Sequence, residues 1–153
     1  MSKHSASFFS RIKRAIFAYF FLVIALWSIY YIAWGRHLYT VTAYDDCPIC
    51  INVAKYRDGR FASGKKVHWG AVAADPSLKF GTQIELIPHW PWDWASVYSI
   101  LRGRRNFHVE DRGGKIKGKR LDLFIPDSFG GHQTALKWGV RKMRIKMNGE
   151  WAE

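Results

Sequence analysis

Residues 110–124 read EDRGGKIKGKRLDLF and lead from the end of one predicted β-strand, Asn106–Val109, through a glycine-rich turn into a second, Arg120–Phe124. Asp122 lies between leucines in the second segment, and a strand with apolar neighbours is an unfavourable place for an unpaired charge. Asp111 comes just before Gly113 and Gly114, which suits a tight turn or a close approach of the backbone to a ligand. The carboxylates beside these strands therefore mark the region as a candidate site.

Short apolar-alternating runs broken by Gly, Pro and Asp follow Arg36, and this pattern indicates an all-β domain. Many short strands in one domain predict a barrel or a sandwich. One short helix is expected at His132–Trp138, with Gly139 at its end. The expected strands are Leu38–Ala43, Trp69–Ala74, Gln83–Ile87, Asn106–Val109, Arg120–Phe124 and Arg141–Met147.

An uncharged segment from Ala15 to Trp34 predicts a transmembrane helix, because about 20 helical residues span a hydrocarbon core of roughly 30 Å. The residues before it include basic but no acidic side chains, so the positive-inside rule places the N-terminus in the cytoplasm. With 153 residues, the chain has room for one domain besides the anchor. The predicted division is a cytoplasmic segment 1–14, an anchor 15–35 and an extracytoplasmic domain 36–153.

A cleaved signal peptide is the alternative, because Ala33-Trp34-Gly35 loosely fits a small-x-small cleavage site. The apolar segment is longer than the usual signal-peptide core of about 7 to 15 residues. Aromatic residues also gather at its far end, as they do at a lipid–water interface. An uncleaved single-pass anchor in the inner (cytoplasmic) membrane is therefore favoured.

The formal net charge of +12, from 24 Lys and Arg against 12 Asp and Glu, predicts attraction to a polyanion. Nucleic acid, anionic lipid and acidic wall polymers all qualify by charge. Because the predicted topology keeps the domain away from nucleic acid, inner-membrane lipid and the cell wall are the expected partners.

Cys47 and Cys50 form a single C-x-x-C pair, which is too few ligands for a four-ligand zinc ribbon. In an oxidising compartment the pair predicts a local disulfide, with a free or redox-active pair as the alternative. His108 and His132 lack metal-ligand spacing with the cysteines. No metal site and no cofactor are therefore expected.

Residues 89–105, HWPWDWASVYSILRGRR, combine three tryptophans with an arginine cluster. Such a segment is expected to be an exposed loop that rests on a membrane surface or stacks on sugar rings. A hairpin whose aromatic side chains cover the barrel is the alternative.

Several motifs together resemble the three-aspartate (3D) domain of bacterial lytic transglycosylases and of stationary-phase survival and resuscitation-type wall proteins. The resemblance runs in order from about Val41 to Met147. The matching motifs are VTAY at 41–44, CPIC at 47–50, ADP at 74–76, FGT at 80–82, the stretch 110–124 and ALKWG at 135–139.

The resemblance implies a mainly β fold, a six-stranded double-psi β-barrel, in which Asp75, Asp111 and Asp122 meet in one groove. It also implies that Asp122 is the catalytic acid and base and that the other two aspartates line the site. The chain departs from the family at Arg112, where threonine is common, and at Lys115, where alanine is common. A cation beside the carboxylates is expected to lower their pKa.

The implied reaction is cleavage of the MurNAc–GlcNAc β-1,4 bond of peptidoglycan glycan strands. Such a step needs a carboxylic acid that is still protonated near neutral pH, and crowded carboxylates or an apolar wall such as Leu121, Leu123 and Phe124 raise a pKa into that range. Once ionised, Asp122 accepts the proton of the sugar 6-hydroxyl, which gives a 1,6-anhydro product. The expected substrate-binding residues are Gly113, Gly114, Lys117 and Arg120.

Simpler interpretations stand beside these. Asp75 before proline and Asp111 before glycine suit turn residues that bind their own backbone, and Lys117 and Arg120 suit solvated surface charges. Two other functions also fit the sequence. One is a peptidoglycan-binding module without catalysis, and the other is an envelope interaction or lysis-accessory protein that uses residues 89–105.

Overall fold

The computed structural model describes residues 3–35, 37–45, 47 and 59–152. The chain divides into two compact units, Met1–Arg36 and His37–Glu153. The first unit is a single helix, and the second is a mixed sheet with few helices.

Helix α1 covers Lys3–Gly35, and its segment Ile12–Tyr31 is long and apolar enough to cross a membrane by length and composition. Ser28 interrupts this apolar surface, but its hydroxyl donates a hydrogen bond to the carbonyl of Ile24 at 2.8 Å. Such a bond satisfies the hydroxyl within its own helix. Because a signal sequence near the N-terminus has the same properties, the anchor, its topology and the division at residues 14 and 35 stay predictions.

The second unit contains all six expected strands, with bounds that differ by only a few residues, and a short seventh strand that the sequence pattern did not indicate. The expected helix at 132–138 is also present. The elements are β1 Leu38–Tyr44, β2 Ala71–Ala74, β3 Gln83–Pro88, α2 Asp93–Ile100, β4 Asn106–Asp111, β5 Arg120–Phe124, a 3-10 turn Asp127–Phe129, α3 Gly131–Trp138, β6 Arg141–Met147 and β7 Glu150–Trp151.

The strands pair in the order β1-β5-β2-β4-β3-β6-β7, and β6 also pairs with β1. The first six strands therefore form a closed circuit of pairings. Two pairs are parallel, β1 with β5 and β2 with β4, and the remaining pairs are antiparallel. The parallel pairs bring residues 80 positions apart, in β1 and β5, and residues 37–38 positions apart, in β2 and β4, into register. The candidate site lies on these four strands.

The main core lies on one face of the strands, because successive strand residues point to opposite faces. Leu121 and Leu123 of β5 and Val41 of β1 are fully buried in it. Helix α3 adds Trp138, whose indole donates a hydrogen bond to the carbonyl of Val41 at 3.1 Å. Replacing a buried tryptophan of this kind by alanine usually lowers the free energy of unfolding by about 3–5 kcal/mol. Trp138 therefore holds α3 against β1.

The expectation of one short helix was wrong, because residues 89–105 contain the additional helix α2 rather than only a loop or a hairpin. Val97, the buried residue of α2, and Leu101, which directly follows the helix, lie four positions apart and pack this segment against the domain core. Its tryptophans remain outside the core: Trp92 is 70% exposed and stacks on Trp90 with a ring separation of 4.8 Å.

Candidate functional site

Four side chains lie in register across four neighbouring strands. Thr42 of β1 pairs with Asp122 of β5, Asp122 with Ala73 of β2, and Ala73 with Asp111 of β4. Directly paired residues place their side chains on the same face of a sheet. Ala73 is the small residue between Asp122 and Asp111, so the Cα atoms of the two aspartates are about two strand spacings apart, roughly 10 Å. We call the strip of sheet between these two carboxylates the groove.

A β-bulge brings Asp111 into this row. The pairing shifts between Val72, which is opposite Val109, and Ala73, which is opposite Asp111, so that Glu110 is the extra residue. A bulge of this kind re-aims the side chain that follows it. Without the shift, Glu110 would have faced Ala73.

Glu110 itself is buried, with 2% of its surface exposed, and accepts a hydrogen bond from Lys65 at 2.5 Å. Burial alone raises the pKa of Glu110, but hydrogen bonds from Lys65 and Ser63 and the charge of Lys65 hold it below its ordinary value. Glu110 is therefore an ionised structural carboxylate beneath the loop that follows residue 60.

Among the carboxyl groups in the described part of the chain, Asp122 has the pKa that is displaced furthest upward. Burial raises its pKa from 3.8 to about 6, and the negative charge of Asp111 adds to this shift. A hydrogen bond from Thr42, 2.6 Å from Oδ1, and the charge of Arg120 act in the opposite direction. At a pH near 6, about half of the Asp122 side chains carry a proton, which is the state that a general acid requires.

The apolar surroundings of Asp122 differ from those expected from its neighbours in sequence. Leu121 and Leu123 point to the main core on the opposite face of β5. Phe124, two residues further, lies on the Asp122 face and packs against Tyr44 and Phe61, with ring separations of 5.5 and 5.1 Å. A separate aromatic cluster, rather than the leucines, therefore adjoins the carboxylate row.

Asp111 is held by groups from two other segments. Its Oδ1 accepts a hydrogen bond from the backbone amide of Ala62 at 2.9 Å, and its Oδ2 accepts one from the hydroxyl of Tyr44. Tyr44 lies two residues after Thr42 on β1, so one strand supplies a hydroxyl partner to each carboxylate. The position of Asp111 is thereby fixed next to the groove.

Asp75 has the bonding of a turn residue. Its two oxygens accept hydrogen bonds from the backbone amides of Ser77 at 2.8 Å and Gly118 at 2.7 Å. These bonds, and the charge of Lys117, lower the pKa of Asp75 to about 2. The interactions that shift the pKa of Asp122 come from Thr42, Arg120 and Asp111, whereas the charge of Asp75 acts on Tyr39. Asp75, which is ionised at neutral pH, joins the turn after β2 to the loop before β5.

The four expected substrate-binding residues fall into two kinds. Gly113 has a packing reason to be glycine, because a Cβ atom there would lie 2.6 Å from the side chain of buried Ile116. Gly114 is exposed and has open space where a side chain would be. Lys117 and Arg120 are exposed, and their charges act on Asp75 and Asp122, respectively.

Arg112, the first departure from the family pattern, donates hydrogen bonds to backbone carbonyls, including that of Asp111 at 3.2 Å. Its guanidinium group donates hydrogen bonds to the carbonyls of Ala74 and Leu78 and lies 4.1 Å from the ring centre of Phe80. The cation that lowers the pKa of Asp122 is Arg120 instead. Arg112 therefore stabilises the turn after β2.

Thr42, Tyr44 and Ala73 are the site residues to which sequence reasoning assigned no role. Thr42 and Tyr44 belong to the VTAY motif, and their alternation on a strand was a usable signal for a common face. Their partners, however, are 80 and 67 positions away in the chain. Only the pairing of β1 with β5 identifies the carboxylates that they meet.

A second cluster forms where β1 ends and α3 begins. Cys47 Sγ lies 3.5 Å from Nδ1 of His132, and the same nitrogen lies 3.8 Å from Oδ1 of Asp45. The expectation of no metal site was based on spacing along the chain. Such spacing does not show that His132 lies next to Cys47 in the folded protein. Cys50 lies outside the described residues, so the Cys47–Cys50 disulfide stays a prediction.

Residues 70–147 match the 3D domain family. Among solved structures, MltA from E. coli is similar over 57% of this chain and 26% of its own, with 23% identity and a TM-score of 0.40. E. coli MltA with bound chitohexaose is similar over 57% of this chain and 27% of its own, with 22% identity and a TM-score of 0.38. The chain spans about a quarter of the length of MltA. No curated protein matches the sequence.

Proposed function

The chain belongs to the 3D domain family, which confirms the resemblance in its sequence, and we propose that it is a peptidoglycan lytic transglycosylase with Asp122 as the general acid and base. One observation carries the proposal: Asp122 is a half-buried carboxyl group with a pKa of about 6, in a row that also holds Asp111. A carboxyl group of this kind can donate a proton near neutral pH, which an ordinary aspartate cannot.

In the first step, protonated Asp122 donates its proton to the oxygen of the MurNAc–GlcNAc β-1,4 bond. The bond from that oxygen to the anomeric carbon of MurNAc breaks, and positive charge develops on the sugar ring. The GlcNAc-containing strand leaves with a free hydroxyl. Asp122 is now ionised, and the hydrogen bond from Thr42 and the charge of Arg120 stabilise this form.

In the second step, ionised Asp122 accepts the proton of the MurNAc 6-hydroxyl while the hydroxyl oxygen attacks the anomeric carbon. The new bond closes the 1,6-anhydro ring, and the proton on Asp122 restores the starting state. No water is consumed, and no second carboxylate forms a covalent bond. A single carboxyl group with an intermediate pKa therefore suffices for both steps.

Asp111 supports this chemistry by its charge and its fixed position. Its negative charge helps to keep Asp122 protonated before the substrate binds. The hydrogen bonds from Tyr44 and Ala62 leave it at the edge of the groove, where it can also bind substrate hydroxyls. Asp75 has an indirect role, because it anchors the loop at Gly118 that leads into β5.

The substrate-binding role of the surrounding loop rests on charge and exposure. Arg120 and Lys117 are exposed cations next to Asp122 and Asp75, where the peptide carboxylates of a muropeptide can pair with them. Gly113 and Gly114 begin the same loop, so the backbone there can approach a glycan strand. The closed circuit of six paired strands supports the proposal that the domain is a double-psi β-barrel.

The proposed location is the inner membrane, with α1 as a single-pass anchor and the β-domain on the extracytoplasmic side. The apolar segment Ile12–Tyr31 supports the anchor, and the net charge of +12 supports binding to anionic lipid and to the cell wall.

The test is digestion of purified sacculi by the full-length chain in detergent micelles, followed by mass spectrometry of the released muropeptides. We expect 1,6-anhydro ends from the natural chain, none above background from Asp122→Asn, and natural levels from the control Glu150→Gln, an exposed carboxylate on β7. Release of anhydro products by a folded Asp122→Asn variant at the natural rate would reject the assignment of Asp122.

A peptidoglycan-binding module without catalysis is the second candidate, and one feature favours it. An open pocket lies between Trp69, Phe129 and the arginines at 102, 104 and 105. Trp69 and Phe129 stack with a ring separation of 4.8 Å, and the guanidinium group of Arg102 lies 4.3 Å above Phe129. Co-sedimentation with sacculi without new anhydro ends, lost on charge reversal of the three arginines, would favour this candidate.

A further inference from the structure

Three side chains with different donor atoms converge at the junction of β1 and α3. Asp45 is the first residue after β1, Cys47 follows two positions later, and His132 is the second residue of α3. Their donor atoms all lie within 4.8 Å of one another. Asp45 is 1% exposed, and Cys47 and His132 are half-buried. The cluster therefore holds a sulfur, a nitrogen and an oxygen in a partly desolvated place.

The separations fit a single tetrahedral metal ion. With zinc–ligand bonds of about 2.3 Å to sulfur and about 2.1 Å to nitrogen and oxygen, a tetrahedral ion holds sulfur and nitrogen about 3.6 Å apart and nitrogen and oxygen about 3.4 Å apart. Cys47 Sγ and His132 Nδ1 are 3.5 Å apart, and His132 Nδ1 and Asp45 Oδ1 are 3.8 Å apart. Both separations lie within a few tenths of an ångström of these values, and all three donor atoms lie within 4.8 Å of one another.

A Cys–His–Asp catalytic triad is the main alternative for these residue types, and the geometry opposes it. In a triad, the base accepts a proton at one ring nitrogen while the carboxylate holds the other nitrogen. Here Cys47 and Asp45 both approach the same atom, Nδ1 of His132. Atoms that gather around one point, instead of forming a chain, are typical of metal ligands.

We infer that Asp45, Cys47 and His132 bind one zinc ion, which joins the end of β1 to the start of α3. Thiolate and imidazole ligands favour zinc over magnesium and calcium, which prefer oxygen ligands. Three protein ligands leave a fourth position for water. Asp45 directly follows Tyr44, which binds Asp111, so the zinc ion would fasten the strand that supplies hydroxyl groups to both groove carboxylates.

The inference depends on the redox state of Cys47, because a thiolate binds zinc whereas a disulfide sulfur does not. The Cys47–Cys50 disulfide and the zinc site are therefore mutually exclusive. Zinc binding is expected from the reduced chain alone.

The experiment uses the full-length chain in detergent micelles, reduced with a phosphine, with Co²⁺ as an optical probe and Zn²⁺ as its competitor. We expect one metal ion per chain, a near-ultraviolet thiolate-to-cobalt band, and loss of that band on addition of zinc. Cys47→Ser should remove the band. His132→Gln and Asp45→Asn should weaken zinc binding at least about tenfold, whereas His108→Gln, a histidine on β4, should bind zinc as the natural chain does.

The inference fails if the reduced natural chain shows no thiolate-to-cobalt band and retains no zinc after dialysis. It also fails if His132→Gln binds zinc as tightly as the His108→Gln control. Far-ultraviolet circular dichroism identifies any variant that does not fold, and the metal content of the natural chain then decides the question. None of these measurements involves glycan cleavage, so their outcome is separate from that of the proposed enzymatic activity.

Discussion

Asp122 and Asp75 belong to the same family pattern, yet their surroundings shift their pKa in opposite directions. Asp122 is half-buried on β5 and accepts one hydrogen bond from a hydroxyl group, so desolvation prevails and its pKa rises to about 6. Asp75 accepts two backbone amides at an exposed turn, and its pKa falls to about 2. The balance between burial and hydrogen bonds to the ionised form decides which aspartate can act as an acid.

The largest expected effect is a difference in enzymatic activity between variants of these two aspartates. Asp122→Asn should lower the rate of anhydro-product release by about 10²- to 10⁴-fold, the usual contribution of general acid–base catalysis. Asp75→Asn should lower the rate much less, because Asp75 acts through the loop at Gly118. Initial rates on sacculi measure both, and equal losses for the two variants would contradict the division of roles.

The second expected effect is that variants of Asp122 and Asp75 differ in how their stability depends on pH. The native state holds a proton on Asp122 up to a pH of about 6, whereas the unfolded chain loses it near 3.8, so stability falls as the pH rises through this window. Asp122→Asn should therefore raise the free energy of unfolding at pH 8 by about 1–3 kcal/mol, with no gain at pH 3.5.

Asp75→Asn should have the opposite sign at pH 8, because an asparagine side chain cannot accept hydrogen bonds from both Ser77 and Gly118. The stability that Asp75 provides is present above pH 4 and is lost as the pH falls toward 2. Denaturant titrations of both variants at pH 3.5 and 8 provide the measurement. Equal signs at pH 8 would show that one of the two carboxyl groups has been misassigned.

A smaller effect concerns the hydroxyl partner of Asp122. The kcat/KM of the natural chain should fall as the pH rises above about 6, because Asp122 loses its proton. Thr42→Val keeps the shape of the side chain but removes a hydrogen bond to the ionised form, so this descending limb should move to higher pH. A pH–rate profile measures the limb, and an unmoved limb would mean that Thr42 does not control the pKa of Asp122.

The smallest effect is expected from the exposed cation near the groove. Arg120→Gln removes a charge that lowers the pKa of Asp122, so the fall of kcat/KM should again move to higher pH. The shift should be smaller than that of Thr42→Val, because salt and water screen an exposed charge. Lys137→Gln, an exposed residue of α3, is the control. A shift that persists undiminished in 0.5 M salt would argue against a purely electrostatic role.

Local sequence patterns predicted most elements of the fold. The strands were recognisable because alternating apolar residues were bounded by Gly, Pro and Asp, and α3 because Gly139 marks its end. Helix α2 was missed because it has eight residues and buries only Val97, which is too little to show a helical period. Strand β7, Glu150–Trp151, has two residues and is too short to show a period.

The sequence by itself determined the apolar N-terminal segment, the positions of the six main strands and the family to which the chain belongs, because each depends on residues close together in the chain. Tertiary structure alone decided which groups meet. The bulge at Glu110 brings Asp111 opposite Ala73, strand pairing brings Thr42 to Asp122 across 80 positions, and the return of α3 brings His132 to Cys47 across 85 positions. The pKa of each aspartate follows from those encounters, because burial and hydrogen-bond partners are properties of the folded chain.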